Sequence, residues 1–266
     1  MAETIFRKIA EIEKRNQSAA LCTVVRSRGS TPRGAASKMI VFPSGEISGT
    51  VGGGEMESRV IAEAIEAIIQ NESKYIEYNM VEPERGDPGV CGGQVEVFIE
   101  PINPRPLLLI IGGGHVGIAV SRLGSWLGYR IALSDDRKDY CNPENNPYGE
   151  EFYPVLMEEL PSKLEITPWT YIVLTTRGVD IDVPGLPGLL QSKAAYIGVI
   201  GSKRRWLTTC EKLRENGIDD NILAKVHSPV GLDIHAETPD EIAVSIMAEI
   251  IMTRRGGDGK PMAASS

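Results

Sequence analysis

Leu107-Leu-Leu-Ile-Ile111, followed directly by Gly112-Gly-Gly-His-Val-Gly117, is the stretch on which the fold turns. Five consecutive apolar residues read as a strand buried on both faces. The glycines that follow fit G-x-G-x-x-G at the mouth of a helix, His115 to Leu127, that stops at Gly128. In such a pattern Gly112 permits a tight turn, Gly114 permits close approach of a ligand, and Gly117 lets the helix sit against the strand. First-turn amides and the positive end of the helix dipole favour a phosphate there. Asp135 and Asp136 fall 18 and 19 residues after Gly117, past the strand Arg130 to Leu133, where an acid would bind a ribose hydroxyl. The same turn also serves packing alone, so both uses stay open.

Working outward, Tyr171 to Leu174 and Tyr196 to Ile200 are further strand candidates. A helix opens at Ser202, carries Trp206, Cys210 and Leu213, and stops at Gly217; the last one starts with Thr238, Pro239 and Glu241 as a capping box. This alternation predicts a Rossmann-like, doubly wound parallel sheet over residues 107–255, with 256–266 as a disordered tail. Upstream, Pro101-Ile-Asn-Pro-Arg-Pro106 reads as a stiff linker and domain boundary. Residues 1–102 then form a smaller α/β domain. Its helices are an amphipathic one on Ile5, Ile9 and Ile12 and a strong one with Met56, Val60, Ile61, Ala64, Ile65 and Ile68 on one face. Its strands are Ala20 to Val25, Lys38 to Phe42, Glu46 to Gly49 (after a Pro43-Ser44-Gly45 turn), Lys74 to Asn79 and Val95 to Glu100.

Composition narrows the function. The chain has 266 residues and 28 glycines, where average usage of about 7% would give about 19. A net charge of −8 argues against a nucleic-acid partner, and no uncharged apolar run approaches a membrane span. Residues 1–17 carry charges throughout and no apolar core of a signal peptide, so a cytoplasmic protein is expected. Cys22, Cys91, Cys141 and Cys210 form no C-x-x-C pair and make no ligand cluster with the histidines, which argues against structural zinc.

Fourteen of the 28 glycines sit in four short loops, 49–54, 86–93, 112–117 and 198–201, and these, with the Arg28–Arg33 loop, hold the candidate chemistry. Gly49-Thr-Val-Gly52-Gly53-Gly54 at a helix entry can form an anion nest or simply a turn with positive φ, while Glu55 and Glu57 suit the helix dipole. Arg28-Gly-Ser30-Thr31-Pro-Arg33 adds two guanidiniums and two hydroxyls suited to phosphate or an oxyanion, or to a solvated turn. Cys91, within Gly86-Asp-Pro-Gly-Val-Cys-Gly-Gly93, has small neighbours that leave access for an electrophile or a soft metal; a buried inert thiol is the alternative. The other three cysteines read as packing residues. Gly198-Val-Ile-Gly201-Ser202-Lys203-Arg-Arg205 places three cations in a first helical turn, where an anionic partner would offset the opposed dipole. His227 and His235 have no acid–base partner visible in sequence.

Together these motifs resemble the xanthine dehydrogenase accessory factors, the XdhC/CoxI family of molybdenum-cofactor chaperones. The resemblance spans nearly the whole chain. Gly29-Ser-Thr-Pro-Arg33, Lys38-Met39, Gly49-Thr-Val-Gly-Gly-Gly54 and Cys91-Gly-Gly93 resemble the family's N-terminal domain. Gly112-Gly-Gly-His115-Val-Gly117, Asp135-Asp-Arg137, Thr176-Arg-Gly178, Ile200-Gly-Ser-Lys203, Ser228-Pro-Val-Gly-Leu-Asp233 and Thr238-Pro-Asp-Glu-Ile-Ala243 resemble its Rossmann domain. Val179 stands where the family often has histidine, and His235 where it often has glycine, which is expected to alter the local backbone.

The resemblance implies a homodimeric, non-catalytic maturation factor. It would bind a molybdopterin-type cofactor, shield it, present it to a cysteine desulfurase for sulfuration, and pass it to an apo molybdenum hydroxylase of the xanthine dehydrogenase kind. The residues expected at the cofactor are Arg28, Ser30, Thr31, Arg33, Lys38, Gly52, Gly53, Gly54, Cys91, Gly112, Gly114, His115, Gly117, Asp135, Gly201, Ser202 and Lys203, with Cys91 also the candidate ligand to molybdenum. An NAD(P)-dependent oxidoreductase using the Gly112–Gly117 site is the alternative, and a nucleotide-sensing module the third; neither needs the N-terminal glycines or Cys91.

Overall fold

The computed structural model describes residues 4–28, 34–79 and 93–264. The chain divides into two compact units, Met1–Pro104 and Arg105–Ser266. In the first, α1 (Ile5–Lys14) precedes β1 (Ala19–Arg28), β2 (Lys38–Val41), β3 (Ile47–Gly49), α2 (Gly54–Gln70), β4 (Lys74–Asn79) and β5 (Gln94–Ile102). The strands form one sheet in the order β3-β2-β1-β5-β4, antiparallel throughout. Alternation along β1 sorts its residues: Ala20, Cys22 and Val24 join Met56, Val60 and Ala64 of α2, while Ala19 and Leu21 join Ile5, Ile9 and Ile12 of α1. The sheet is therefore covered by a helix on each face.

Strand β5 runs through Pro101 and Ile102, residues expected in the linker; Pro101 pairs with Ala20. Strand β4 begins opposite Ile99, so beyond that residue one side of β5 has no neighbouring strand and a residue without an N–H is tolerated.

The second unit runs β6 (Leu107–Ile111), α3 (His115–Trp126), β7 (Arg130–Ser134), β8 (Glu151–Tyr153), α4 (Leu160–Lys163), β9 (Thr170–Leu174), α5 (Val179–Leu190), β10 (Tyr196–Val199), α6 (Lys203–Glu215), α7 (Asp220–Leu223) and α8 (Pro239–Arg255). Its sheet, β10-β9-β6-β7-β8, is wholly parallel. All five residues of β6 are buried. Leu107, Leu109 and Ile111 pack with Leu186 and Leu189 of α5 and Leu213 of α6, whereas Leu108 and Ile110 pack with Val120 of α3 and Ile246 and Ile250 of α8. This is the doubly wound, Rossmann-like arrangement that the glycine-rich turn predicted. Helix α5 has no legible period because Pro184, Gly185, Pro187 and Gly188 interrupt it. The capping box of α8 forms as read, with Thr238 accepting from the Glu241 amide and the Glu241 carboxylate accepting from the Thr238 amide. His235 has φ +55, in the left-handed region that a glycine adopts freely.

Candidate functional site

In the first unit the antiparallel register gathers separate motifs at one end of the sheet. Strands β1 and β4 finish there at Arg28 and Asn79, and β5 starts there at Gln94, which is the register partner of both. Strand β2 also starts at that end with Lys38, and β3 finishes there at Gly49, opposite Met39. The chain therefore enters residues 29–33, leaves residues 80–92 and begins Thr50–Gly54 from the same edge. Ser30, Thr31, Arg33 and Cys91 lie outside the described residues, but their anchors converge. Arg28 is exposed, and the half-buried Lys38 donates from Nζ to Thr23 Oγ1 at 3.3 Å.

The glycine turn at that edge contains a resident anion. Glu57 folds back from the start of α2, and its Oε2 accepts from Thr50 Oγ1 at 2.5 Å and from the amides of Val51 and Gly53 at 3.2 Å each. The Gly52 amide donates to Thr50 Oγ1. Gly53 and Gly54 have φ of +81 and +69, so the turn needs their freedom. Nearby, Glu96 accepts from the Tyr75 hydroxyl and pairs with Arg26 at 3.1 Å; these contacts hold its carboxyl below the usual range despite burial. Sequence reading missed this trio, because its members lie on three strands and only pairing register joins them.

In the second unit the carboxyl ends of β6, β7, β9 and β10 carry the remaining candidates. Gly112 has φ +120, and a Cβ on Gly117 would overlap the Gly112 carbonyl oxygen. Gly113 is closed off by the Tyr140 carbonyl, into which a Cβ would project. Its amide donates to Asp135 Oδ2 at 2.9 Å. Asp135 also takes a fork from Arg137, Nε to Oδ1 and Nη2 to Oδ2 at 2.8 Å each, and the Arg137 amide on Oδ1 at 3.0 Å. Burial of Asp135 favours the neutral acid, yet these donors prevail and its pKa is lowered. With both oxygens accepting two hydrogen bonds, Asp135 has no lone pair left for a ribose hydroxyl. It positions the glycine loop. Gly114 has open space around it and caps α3 without a side-chain bond, and the exposed His115 is the helix's first residue, so first-turn amides face outward.

The strand order places Gly201, Ser202 and Lys203, after β10, at this same carboxyl edge. Ser202 caps α6 by accepting from the Arg205 amide at 3.2 Å. The anion that the cationic turn called for is internal in one case: Arg205 reaches the fully buried Asp182 at 2.6 Å and Thr176 Oγ1 at 2.7 Å, while Thr176 also bonds Asp182. Lys203 and Arg204 stay exposed. Glu249 of α8, which no sequence signal marked, is the partner of His227 at 2.9 Å and also accepts from the Tyr196 hydroxyl and the Gly231 amide. Cys22, Cys141 and Cys210 are buried, unpaired thiols, and burial pushes Cys22 up to about 12. No helix among the described residues is long and apolar enough to cross a membrane.

Between the ends of β6, β7 and β9 lies a pocket bounded by Gly112, Asp135, Asp136, Leu156, Arg177 and Pro184, among others. Asp136 and Arg177 pair across it at 2.8 Å. In an open doubly wound sheet this crevice, where strand order reverses about the first strand, is where ligands bind.

Comparison with known proteins places both units. Residues 108–250 match the XdhC Rossmann domain, and residues 12–79 match the XdhC and CoxI family. An uncharacterized Escherichia coli protein, YqeB, is 34% identical over 262 residues, covering 96% of this chain and 47% of that protein. A Bacillus subtilis protein named as a probable xanthine dehydrogenase subunit is 31% identical over 159 residues, 60% of this chain and 46% of that one. The chain thus spans about half the length of these two relatives. The Escherichia coli molybdenum cofactor insertion chaperone PaoD is 21% identical over 282 residues, covering 94% of this chain and 88% of PaoD. A crystal structure of a Bacillus halodurans protein described as a xanthine dehydrogenase shares the fold, with a TM-score of 0.51 at 20% identity over 99% of this chain and 98% of that one.

Proposed function

This chain belongs to the XdhC/CoxI family, and from that premise and the geometry above we propose that it is a molybdenum-cofactor insertion chaperone serving a hydroxylase of the xanthine dehydrogenase kind. The observation that carries the reading is the convergence, at one end of the first sheet, of Arg28, Lys38, the Gly52–Gly54 turn and the anchors of residues 29–33 and 80–92. That donor set suits the cofactor: guanidinium and ammonium groups match a phosphate, and the Cys91 thiolate matches a soft dithiolene-bound metal, while the amides of Val51, Gly52 and Gly53 are already taken by Glu57 and Thr50. The cofactor itself brings molybdenum redox chemistry, while the chain binds, orients and shields. In this reading a homodimer in the cytoplasm presents the cofactor to a cysteine desulfurase for sulfuration and then hands it to the apo hydroxylase. Buried, unpaired thiols suit a reducing compartment.

Mass spectrometry of the chain purified without oxygen tests the reading. A retained molybdopterin species, reduced by Cys91→Ala, is expected; no retention by wild-type protein sinks the idea. A dinucleotide in the second unit is the competing reading, favoured by the open first turn of α3 and opposed by the saturated Asp135. Titration with NAD(P) without a saturable signal removes it.

A further inference from the structure

Helix α8 buries one side and leaves the other without cover. Ala243, Ile246, Met247 and Ile250 enter the core with Val120 of α3, while Val244 and Ile251 stand exposed on the other side with Ala248 half-buried between them. With the exposed Glu241 and Arg255 these residues recur in steps of three and four, which keeps Glu241, Val244, Ala248, Ile251 and Arg255 in one stripe along the helix. Trp126 of α3 widens that stripe. Arg122 pairs with Asp240 at 2.7 Å and Arg254 lies over the Tyr129 ring, so α3 and α8 run side by side in one direction. Trp126, 81% exposed, stands between those two contacts. Lone exposed apolar side chains are ordinary, but an apolar patch rimmed by charge marks a contact surface.

The charges indicate what covers it. The Glu241 carboxylate is held below the usual range by the amides of Thr238 and Glu237, so it is ionised. Arg255, at the other end of the stripe, has no hydrogen bond or ion pair among the described residues. An acid in the first turn and a base in the last suit the helix dipole, yet the dipole does not require either to lie in line with the apolar residues. Both stand seven residues, about two turns, from Ala248. The stripe is therefore complementary to itself when a second α8 lies against it antiparallel, whereas a parallel pair would oppose like charges. The chain's own tail is not the cover: past Gly256 it returns beside Met252 and leaves Val244 and Ile251 exposed.

We infer that two copies of this chain associate through α8, antiparallel across a two-fold axis at Ala248. There the small side chain of each copy meets its counterpart and lets the helices approach closely. Val244 of each copy packs against Ile251 of the other, Glu241 of each faces Arg255 of the other, and Trp126 flanks the seam, so one surface serves both copies. This contact does not depend on the cofactor, and it gives the homodimer of the chaperone reading a face.

Sedimentation equilibrium of the full chain, with circular dichroism to follow folding, tests it. Wild-type protein is expected to be a dimer at micromolar concentration. Arg255→Glu sets Glu against Glu and Glu241→Arg sets Arg against Arg, so each variant alone should dimerise about tenfold more weakly. An equal mixture of the two again sets every Glu against an Arg and should recover the dimer. Val244→Glu, at an exposed position outside the capping box, should weaken the dimer about tenfold and carries the test if Glu241→Arg loses its fold. A monomeric wild type, a dimer that Arg255→Glu and Val244→Glu leave unchanged, or two folded single variants whose mixture stays dissociated overturns the inference. A chain that retains molybdopterin but is monomeric, or dimeric through another face, loses only this inference. One that dimerises through α8 and retains no molybdopterin loses only the chaperone reading.

Discussion

The turns Gly52–Gly54 and Gly112–Gly117 look alike in sequence, each a glycine triple before a helix, and each is capped by a carboxylate of the chain itself. Their glycines are there for different reasons. Gly53 and Gly54 have empty space where a Cβ would stand and are required by positive φ, whereas Gly113 and Gly117 are required because backbone carbonyls lie where the Cβ would go. The capping acids differ too. Glu57 is half-buried at the start of its own helix and, among the described residues, accepts only from a hydroxyl and backbone amides. Asp135 is buried, forked by Arg137 and held from the next strand. A glycine motif therefore reports unusual backbone, and its surroundings decide whether that backbone serves conformation or contact.

The largest effect that would sharpen this contrast is expected from Gly117→Ala, about 3 kcal/mol of lost stability by denaturant unfolding, since neither a helix nor a strand backbone can yield cheaply. Asp135→Asn follows at about 2 kcal/mol, because hydrogen bonds to a charged group are lost and Arg137 is left against a neutral amide. Its pH signature is distinct. The folded pKa of Asp135 is lowered, so its contribution is present above the unfolded value near 3.8 and disappears as pH falls through the folded value. The gap between wild type and Asp135→Asn should therefore be constant above about pH 5 and narrow in acid denaturation below about pH 4. Gly54→Ala should cost between about 1 and 2 kcal/mol, from backbone strain alone. A cost equal to that of Gly117→Ala would break the distinction between conformation and contact. The smallest change, about 1 kcal/mol, is expected for Glu57→Ala, with faster hydrogen exchange at the Val51 and Gly53 amides as the local readout.

Much of the fold was legible because its signals are local. The β6 run, the cap at Ser202 and the box at Thr238 each place their stabilising groups within a few residues. Helix α5 was not legible, since Pro184 and Pro187 argue against a helix and only burial of Leu186 and Leu189 overrides them. Site residues divide the same way. Asp135 was visible from its spacing after Gly117, but its role was not. Spacing shows that an acid stands at the strand end, and only geometry shows Arg137 and the Gly113 amide already using it. The partners Asp182 of Arg205 and Glu249 of His227 are 23 and 22 residues away, with no periodicity linking them.

The sequence by itself determined the class of each unit, the position of each glycine turn and the family resemblance, because backbone freedom, apolar period and capping are properties of neighbouring residues. Tertiary structure alone decided which groups are spent and which are free. Glu57 and Asp135 are consumed on their own glycine loops and Arg205 on Asp182, while Lys203 and Arg204 stay exposed. Hydrogen-bond capacity is settled by distances of about 3 Å between residues far apart in the chain, and those distances exist only once the sheets have set their register.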